Sequence, residues 1–305
     1  MDSKRTHVYK QAARAAVAAR AYTEHYVGAG WWYKLKRIAR YRYTYLSYVW
    51  ARSRNSHRVT TAHTFFGKEM QVLVGDRDTF ELRAFGTLGA DEYKLTNYLI
   101  KHLPPDAIFY DIGANYGFYS LLATELIDSG EVHTFEPLPQ IYALTRQTLA
   151  PYPQCQVNQL AVSDTAGTAT LHSFAEAGIS GISSLVVSEH EYVAVQEQSI
   201  TVDTTTLDTY VKSHQPPTFC KIDVEGAEAL VIAGARETLQ TYRPTISLEV
   251  WGGERRAQHS VVIQSLFELG YTAHALTEAG DIEPISDMDS YLASLPGFAN
   301  CIFLS

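Results

Sequence analysis

The chain is poor in cysteine, with three thiols in 305 residues, at Cys155, Cys220 and Cys301. They lie far apart, form no metal-ligand spacing, and their odd number makes no disulfide framework. Small buried thiols in a reducing compartment are the expectation. Long apolar runs are also missing, and no uninterrupted stretch approaches the ~20 residues that span a bilayer. The N-terminus shows neither the apolar core nor the cleavage site of a secretory signal. No internal repeat and no low-complexity tract occurs. These absences argue against a disulfide scaffold, a membrane-spanning helix and a repeat array, and they favour a cytoplasmic location. What is present is ordinary: 46% hydrophobic and 19% charged residues, the composition of a globular protein with a sizeable core.

The net charge of −8 hides an asymmetry. Residues 1–60 carry thirteen Lys and Arg but only two acids, Asp2 and Glu24, for a local charge of +11 that leaves −19 on the remainder. Such a division suggests two regions with different partners. We therefore read a basic, aromatic-rich helical extension over 1–60 and an acidic body over 61–305. The body divides into a β/α lead-in at 61–105 and a ligand-binding core at 106–305.

Residues 4–27 are rich in Ala and Arg without Pro or Gly and favour helix, and Gly28 and Gly30 break the run. The spacing of Trp32, Leu35, Ile38, Tyr45, Leu46 and Val49 predicts a second helix over 31–53. Residues 64–86 read as two or three strands with turns at Gly67 and Gly75-Asp76. Helix returns over 91–103 and stops at Pro104-Pro105. Strands and helices then alternate. Strands are predicted at 107–112, 131–136, 155–162, 218–223, 245–250, 272–276 and 300–305, with further strands at 168–174 and 199–204. Helices are predicted at 117–127, 139–150, 226–241 and 257–269. Strands joined by helices of this length imply parallel βαβ units in a doubly wound α/β sheet. The polar, Ser-rich stretch 175–198 reads as a mobile loop over the site.

The sharpest motif is Asp111-Ile112-Gly113-Ala114-Asn115-Tyr116-Gly117, at the end of the first core strand and the start of a helix. Ligands of doubly wound sheets bind at the carboxyl ends of the strands. Gly113 allows a sharp turn and Gly117 a close approach of the helix. Amides at the helix N-terminus favour a carboxylate or phosphate. Nineteen residues after Gly117, the second strand ends in Glu136, an acid able to accept from ribose hydroxyls. The dinucleotide fingerprint requires G-x-G-x-x-G, whereas this loop is D-x-G-x-x-x-G. A nicotinamide dehydrogenase is therefore disfavoured. An acid beside the loop repels pyrophosphate but suits an ammonium group, as in S-adenosylmethionine.

The segments "FYDIGANYGFYSLLA", "VHTFEP", "LAVSD", "GISSL", "TTLDTYV", "KIDVEGAEALVIAGA" and "RPTISLEV" occur in the order seen in the FkbM family of S-adenosylmethionine-dependent methyltransferases. The chain resembles that family over roughly 70–305 and not over 1–60. The resemblance implies a class I methyltransferase fold, a seven-stranded doubly wound sheet with its last strand antiparallel. It also implies methylation of a hydroxyl oxygen, often on a sugar or glycosylated small molecule. By motif position, Asp111, Gly113, Ala114, Asn115 and Gly117 would hold the methionine part and Glu136 the ribose. Ala161 and Val162 would border the adenine. Tyr116 departs from the small or aliphatic residue frequent there and changes the pocket wall.

"KIDVEGAE" places Lys221 and Asp223 on one side of a strand, with Glu225 at the following turn. A buried lysine needs a partner, and Asp223 is nearest. The next strand ends similarly in Glu249. In-line methyl transfer to a hydroxyl needs its proton removed or strongly hydrogen-bonded, and a positioned base contributes about 10²–10⁴-fold. Asp223 is the first candidate base and Glu249 the second, with Lys221 as a third catalytic candidate. Two alternatives stay open. Asp223 is a helix cap or half of a structural ion pair, or Asp223, Glu225 and Glu249 bind Mg²⁺ and acidify the acceptor hydroxyl. Glu225, Ser183, Ser184 and His190 are candidate substrate contacts, while His172 and His259 read as structural or exposed.

The leading function is therefore S-adenosylmethionine-dependent O-methylation of a sugar, glycan or glycosylated metabolite. An RNA ribose O-methyltransferase is the runner-up, opposed by the acidic body because nucleic-acid binders present a basic face. A non-catalytic binding or assembly protein is a third reading, opposed by the intact Gly113, Gly117 and Glu136. For residues 1–60, docking on the protein's own body or a second subunit leads. Peripheral contact with anionic membrane through Trp31, Trp32 and Trp50 and nucleic-acid contact follow.

Overall fold

A computed structural model describes residues 1–23, 31–54, 56–89, 92–173, 198–253 and 256–305. Two helices lead the chain, α1 (Ser3–Thr23) and α2 (Trp31–Ser53), the second kinked at Tyr41. Small residues let α1 lie close to the body. Val8, Ala12, Ala15, Ala16 and Ala19 are buried along one face, at the spacing of a helical stripe. At its start, Asp2 accepts from the Arg5 amide at 2.8 Å. The Arg5 guanidinium donates to the carbonyls of Leu126 at 2.8 Å and Ile100 at 3.4 Å. Arg20 pairs with Glu278 farther along.

The lead-in forms a hairpin, β1 (Val59–His63) with β2 (Glu69–Leu73), and two helices, α3 (Thr79–Phe85) and α4 (Tyr93–His102). The third strand considered for this region is instead α3. Its apolar Leu82 and Phe85 are three apart, a helical rather than an alternating period. Thr79 Oγ donates to the carbonyls of Leu73 and Asp76 at 2.7 and 3.0 Å, holding the helix start against the hairpin. Gly86, with φ of 74°, ends it.

The core then follows as β3 (Ile108–Ile112), α5 (Phe118–Leu126), β4 (Glu131–Phe135), α6 (Pro139–Leu149) and β5 (Cys155–Asn158). Next come β6 (Ala161–Val162), β7 (Gly167–Ser173), β8 (Gln198–Thr205), α7 (Leu207–Tyr210) and β9 (Phe219–Ile222). The chain finishes with α8 (Glu228–Ala233), α9 (Arg236–Tyr242), β10 (Thr245–Trp251), α10 (Arg256–Glu268), β11 (Thr272–Leu276), β12 (Ile282–Pro284), α11 (Met288–Ser294) and β13 (Phe298–Leu304).

The main sheet has the order β12-β11-β13-β10-β9-β3-β4-β5. β3, β4, β5, β9 and β10 run parallel, and β13 is antiparallel to both β10 and β11. Without the edge strand β12, this is the seven-stranded class I methyltransferase sheet. The expected count is thus short by one, because β12 is a three-residue hairpin arm with no apolar alternation to announce it. The predicted strand over 155–162 is two strands. β5 ends at Asn158, whose amide donates to Thr134 O at 3.2 Å, and β6 leaves to pair with β8 in a separate three-stranded sheet with β7. The predicted helix over 226–241 is broken at Gly234, where a Cβ would lie 2.0 Å from Ser163 O. Asp208 caps the second piece, accepting from the amides of Thr238 and Glu237.

Alternation along β3 serves two layers. Phe109 joins the core shared with α1, α4, α5 and α6, while Ile108, Tyr110 and Ile112 join the core under α8, α9 and α10. Among the described residues, no helix is long and apolar enough to cross a membrane.

Candidate active site

The chain passes from β3 to one side of the sheet and later returns as β9 on the other. The carboxyl ends of β3 and β9 therefore flank the switch point where ligands of such sheets bind. A cleft partly open to solvent lies there. Gly113, Ala114, Asn115 and Tyr116 line it from the loop after β3, Phe118 and Tyr119 from the start of α5, and Lys221 and Asp223 from β9 and its following turn. Asp78, Leu82, Leu88 and Glu92 close it from the lead-in.

The loop is built by close approach. Gly113 has φ of 77°, and a Cβ on it would lie 1.9 Å from Asp223 O, so no side chain fits. The amides of Gly113 and Ala114 both donate to Phe135 O, at 3.1 and 3.0 Å. Asn115 has φ of 49°, a conformation that Asn tolerates better than most residues, and Thr145 Oγ donates to its carbonyl at 2.6 Å. Gly117, with φ of 79°, caps α5 behind the loop and does not line the cleft.

Two of the expected ligand-binding acids are engaged within the protein. Asp111 is fully buried, and its Oδ2 accepts from the Ser120 amide and hydroxyl at 2.9 and 2.7 Å. Among the described residues its Oδ1 accepts no hydrogen bond, and it faces Lys221 Nζ at 3.8 Å. Burial raises the Asp111 pKa, opposed by Lys221 and the Ser120 hydrogen bonds. Asp111 thus ties β3 to the first turn of α5 beneath the cleft. Glu136 is 5% exposed, with its carboxylate accepting from the amides of Asn115 and Leu138, both at 2.9 Å. Burial pushes its pKa up to about 7, against those two amides. Ala161 and Val162 are buried in β6 and do not line the cleft.

Around Lys221 the sheet register gathers charge on one face. Lys221 is level with Asp111 on β3 and with Ser247 on β10, and Glu249 is level with Asn300 on β13. Lys221 Nζ lies 3.0 Å from Asp223 Oδ2 and 5.3 Å from the centre of the Tyr119 ring. Burial pulls the Lys221 pKa down, but Asp223, Asp111 and Glu92 more than offset this and hold it above the ordinary value. Tyr119 Oη donates to Glu92 Oε2 at 2.5 Å, and Asn300 Nδ2 donates to the same oxygen at 3.2 Å. Glu249 is 8% exposed, and burial followed by the charges of Asp223, Glu225 and Glu92 raises its pKa well above the usual range. Glu225 is half-buried with φ of 53°.

Asp223, Glu225 and Glu249 thus share one electrostatic neighbourhood. Yet among the described residues no three His, Cys, Asp or Glu side chains come together to hold a metal ion. The Mg²⁺ alternative therefore gains no support from their placement. Ser183, Ser184 and His190 lie outside the described residues. Sequence reasoning missed Asp78, Glu92, Tyr119 and Asn300. Tyr119 lies two residues beyond Gly117 and was within reach of the motif, but the other three sit in segments without one.

A parallel sheet of this order with an antiparallel β13, and a glycine loop at its switch point, defines the class I methyltransferase fold. Residues 111–273, just over half of the chain, match the Methyltransferase FkbM domain, and the protein belongs to that family. It is 30% identical over 150 residues to the 2-O-methyltransferase NoeI of Sinorhizobium fredii (strain NBRC 101917 / NGR234). That match covers 46% of this chain, which spans 61% of the relative's length. Among solved structures, methyltransferase FkbM from Methylobacillus flagellatus KT is similar over 75% of this chain and 53% of its own, at 13% identity and a TM-score of 0.43. Aeropyrum pernix fibrillarin, solved with natively bound S-adenosyl-L-methionine, is similar over 70% of this chain and 74% of its own, at 10% identity and a TM-score of 0.40. These overlaps are loose, and the fold rests on the strand order.

Proposed function

We propose that the protein is an S-adenosylmethionine-dependent O-methyltransferase acting in the cytoplasm on a hydroxyl of a sugar, glycan or glycosylated metabolite. The observation that carries this reading is the charge of the cleft. Asp78, Glu92 and Asp223 line it, and the one cation among its described lining residues, Lys221, is matched by Asp223 and Asp111. Such a cleft suits an ammonium and a sulfonium and opposes phosphate, which weighs against both a dinucleotide and RNA. The similarity to a 2-O-methyltransferase supports hydroxyl oxygen as the acceptor.

In this reading Gly113, Ala114 and Asn115 hold the methionine part, while Asp111 and Gly117 act from behind by fixing the start of α5. Glu136 meets the ribose. Its two amide bonds leave half of a carboxylate's acceptor capacity free. The cofactor, when bound, supplies an activated methyl group. Asp223 takes the hydroxyl proton, because it lines the cleft and Lys221 holds its Oδ2 at 3.0 Å, which fixes its orientation. Glu249, whose raised pKa keeps it protonated over a wider pH range, is suited to donating a hydrogen bond to the acceptor. Glu225, with Ser183, Ser184 and His190 from the sequence between β7 and β8, remain candidate acceptor contacts.

Calorimetric titration with S-adenosylhomocysteine, with NAD as control, tests the cofactor. Wild type should bind S-adenosylhomocysteine and not NAD, and Glu136→Ala should weaken binding by about 1.5–3 kcal/mol, the scale of hydrogen bonds to a charged group. Asp223→Asn should leave that affinity nearly unchanged and lower methyl transfer to neutral oligosaccharides by about 10²-fold or more. Full activity in Asp223→Asn would return Asp223 to a structural role, and methylation of RNA instead of saccharides would overturn the acceptor class.

A further inference from the structure

One side of α2 has no role in the site. The helix packs on α3 through Tyr41 against Phe85 and Tyr48 against Phe80, with Ala51 buried and Arg83 donating to Ser47 Oγ at 2.6 Å. The opposite side carries Tyr43, Tyr45, Leu46, Val49 and Trp50, exposed at 77, 40, 58, 43 and 46%. At 3.6 residues per turn these five form one continuous stripe. Arg52 and Arg54 fall along its two edges, and Arg42 falls within it. The guanidinium of Arg54 sits 4.7 Å from the Trp50 ring centre, and that of Arg42 sits 5.0 Å from the Tyr43 ring centre. No acidic residue occurs between Glu24 and Glu69, an interval holding nine Lys and Arg.

We propose that this face of α2 docks on an anionic lipid surface. A contiguous exposed apolar stripe with a polar rim marks an interaction site. Aromatic rings beside guanidinium groups match the boundary between headgroups and acyl chains, where rings insert and cations meet phosphate. Charge complementarity selects an anionic partner. A second copy of the chain offers the same stripe, but pairing the two stripes would bring Arg42, Arg52 and Arg54 of each copy against those of the other, with no acidic residue between Glu24 and Glu69 to offset them. Outside α1 and α2, the exposed large apolar side chains of the described body are Val59, Tyr242, Val261 and Phe267, scattered over β1, α9 and α10. The placement also bears on the enzyme. α3 lies between this face and the cleft, which Leu82 of α3 and the preceding Asp78 line. The stripe lies on the far side of α2 from α3, so α2 and α3 both stand between the proposed membrane contact and the site, and the contact would anchor the protein without covering the cleft.

Flotation of the full-length protein with vesicles tests this. Wild type should float with phosphatidylglycerol–phosphatidylcholine vesicles, not with phosphatidylcholine alone, and should be released by raised salt. Leu46→Glu/Trp50→Glu should bind at least about tenfold more weakly, with an unchanged circular dichroism spectrum because both side chains are exposed. Arg52→Glu/Arg54→Glu, which alters only the rim, should also lose binding, and it serves alone if the first variant does not fold. Wild type that ignores anionic vesicles, or variants that bind as wild type does, would overturn the proposal. A wild-type dimer that becomes monomeric in Leu46→Glu/Trp50→Glu, with no vesicle binding by either, would overturn it in favour of a second copy.

Discussion

At the scale of single residues, Gly113 shapes the cleft, and Glu136, buried behind its loop, is the acid whose proposed ribose contact can be tested by pH. At Gly113 the loop after β3 touches the turn after β9 so closely that a Cβ would lie 1.9 Å from a backbone oxygen, at φ of 77°. Backbone cannot yield as a flexible side chain can. Gly113→Ala should therefore cost about 2 kcal/mol or more of stability and abolish binding of S-adenosylhomocysteine, measured by denaturant unfolding and calorimetry. Glu136 has its pKa raised to about 7 by burial, so it is mostly protonated at pH 6 and mostly ionised at pH 8. Only the ionised form accepts hydrogen bonds at both oxygens while also holding the amides of Asn115 and Leu138. Affinity for S-adenosylhomocysteine should rise by about tenfold from pH 6 to pH 8, the limit for one proton with that pKa. A flat profile in wild type, or the same rise in Glu136→Gln, would remove the ribose contact from Glu136.

Elements from three parts of the chain meet at the cleft, and their joints are specific. Tyr116 Oη donates to Asp76 Oδ2 at 2.8 Å, and both residues are buried. This bond links the loop after β3 to the turn between β2 and α3, so the wall carrying Asp78 and Leu82 is held against the loop. The tyrosine that departs from the usual residue thus takes part in that joint. Tyr116→Phe should destabilise the protein by about 1–3 kcal/mol, since it leaves a buried carboxylate short of a donor. It should weaken S-adenosylhomocysteine binding less than Glu136→Ala does. An equal or larger loss of affinity would mean that the tyrosine itself contacts the ligand. On the other side, Glu92 at the start of α4 gathers Tyr119 and Asn300, joining α4, α5 and β13 across the site.

At the scale of the whole molecule, α1 belongs to the core in packing terms. Val8 and Ala12 are continuous with the apolar layer of α4 and α5, and Arg5 caps the ends of both helices. Helix ends leave carbonyls that need donors, and Arg5 supplies them. Removing residues 1–23 should lower the melting temperature by several degrees, at about 4–8 °C per kcal/mol for a small domain and less for a longer chain, and it should raise binding of an apolar dye. A truncated protein that melts as the full chain does would make α1 a separable appendage. The partition of charge, +11 before residue 61 and −19 after it, also acts at this scale. It favours the approach of α1 to the body, where Arg20 meets Glu278.

Local chemistry determined much of this protein. The alternation of apolar strands and amphipathic helices specifies a doubly wound sheet, because each period buries its own face. The glycines at 113 and 117 mark the turn that no other residue can make, and a period of two puts Lys221 beside Asp223. Tertiary structure decided the rest. Asp78 and Glu92 carry no motif, and they reach the cleft because the segments leading into α3 and α4 pack there, while Asn300 of β13, from the other end of the chain, meets Glu92 behind it. Asp111 and Glu136 stand where their spacing places them, yet their carboxylates are turned inward to Ser120 and to the amides of Asn115 and Leu138. Which partner a buried carboxylate takes depends on the donors that folding brings within reach. That is a property of contacts distant in sequence, and spacing along the chain does not encode it.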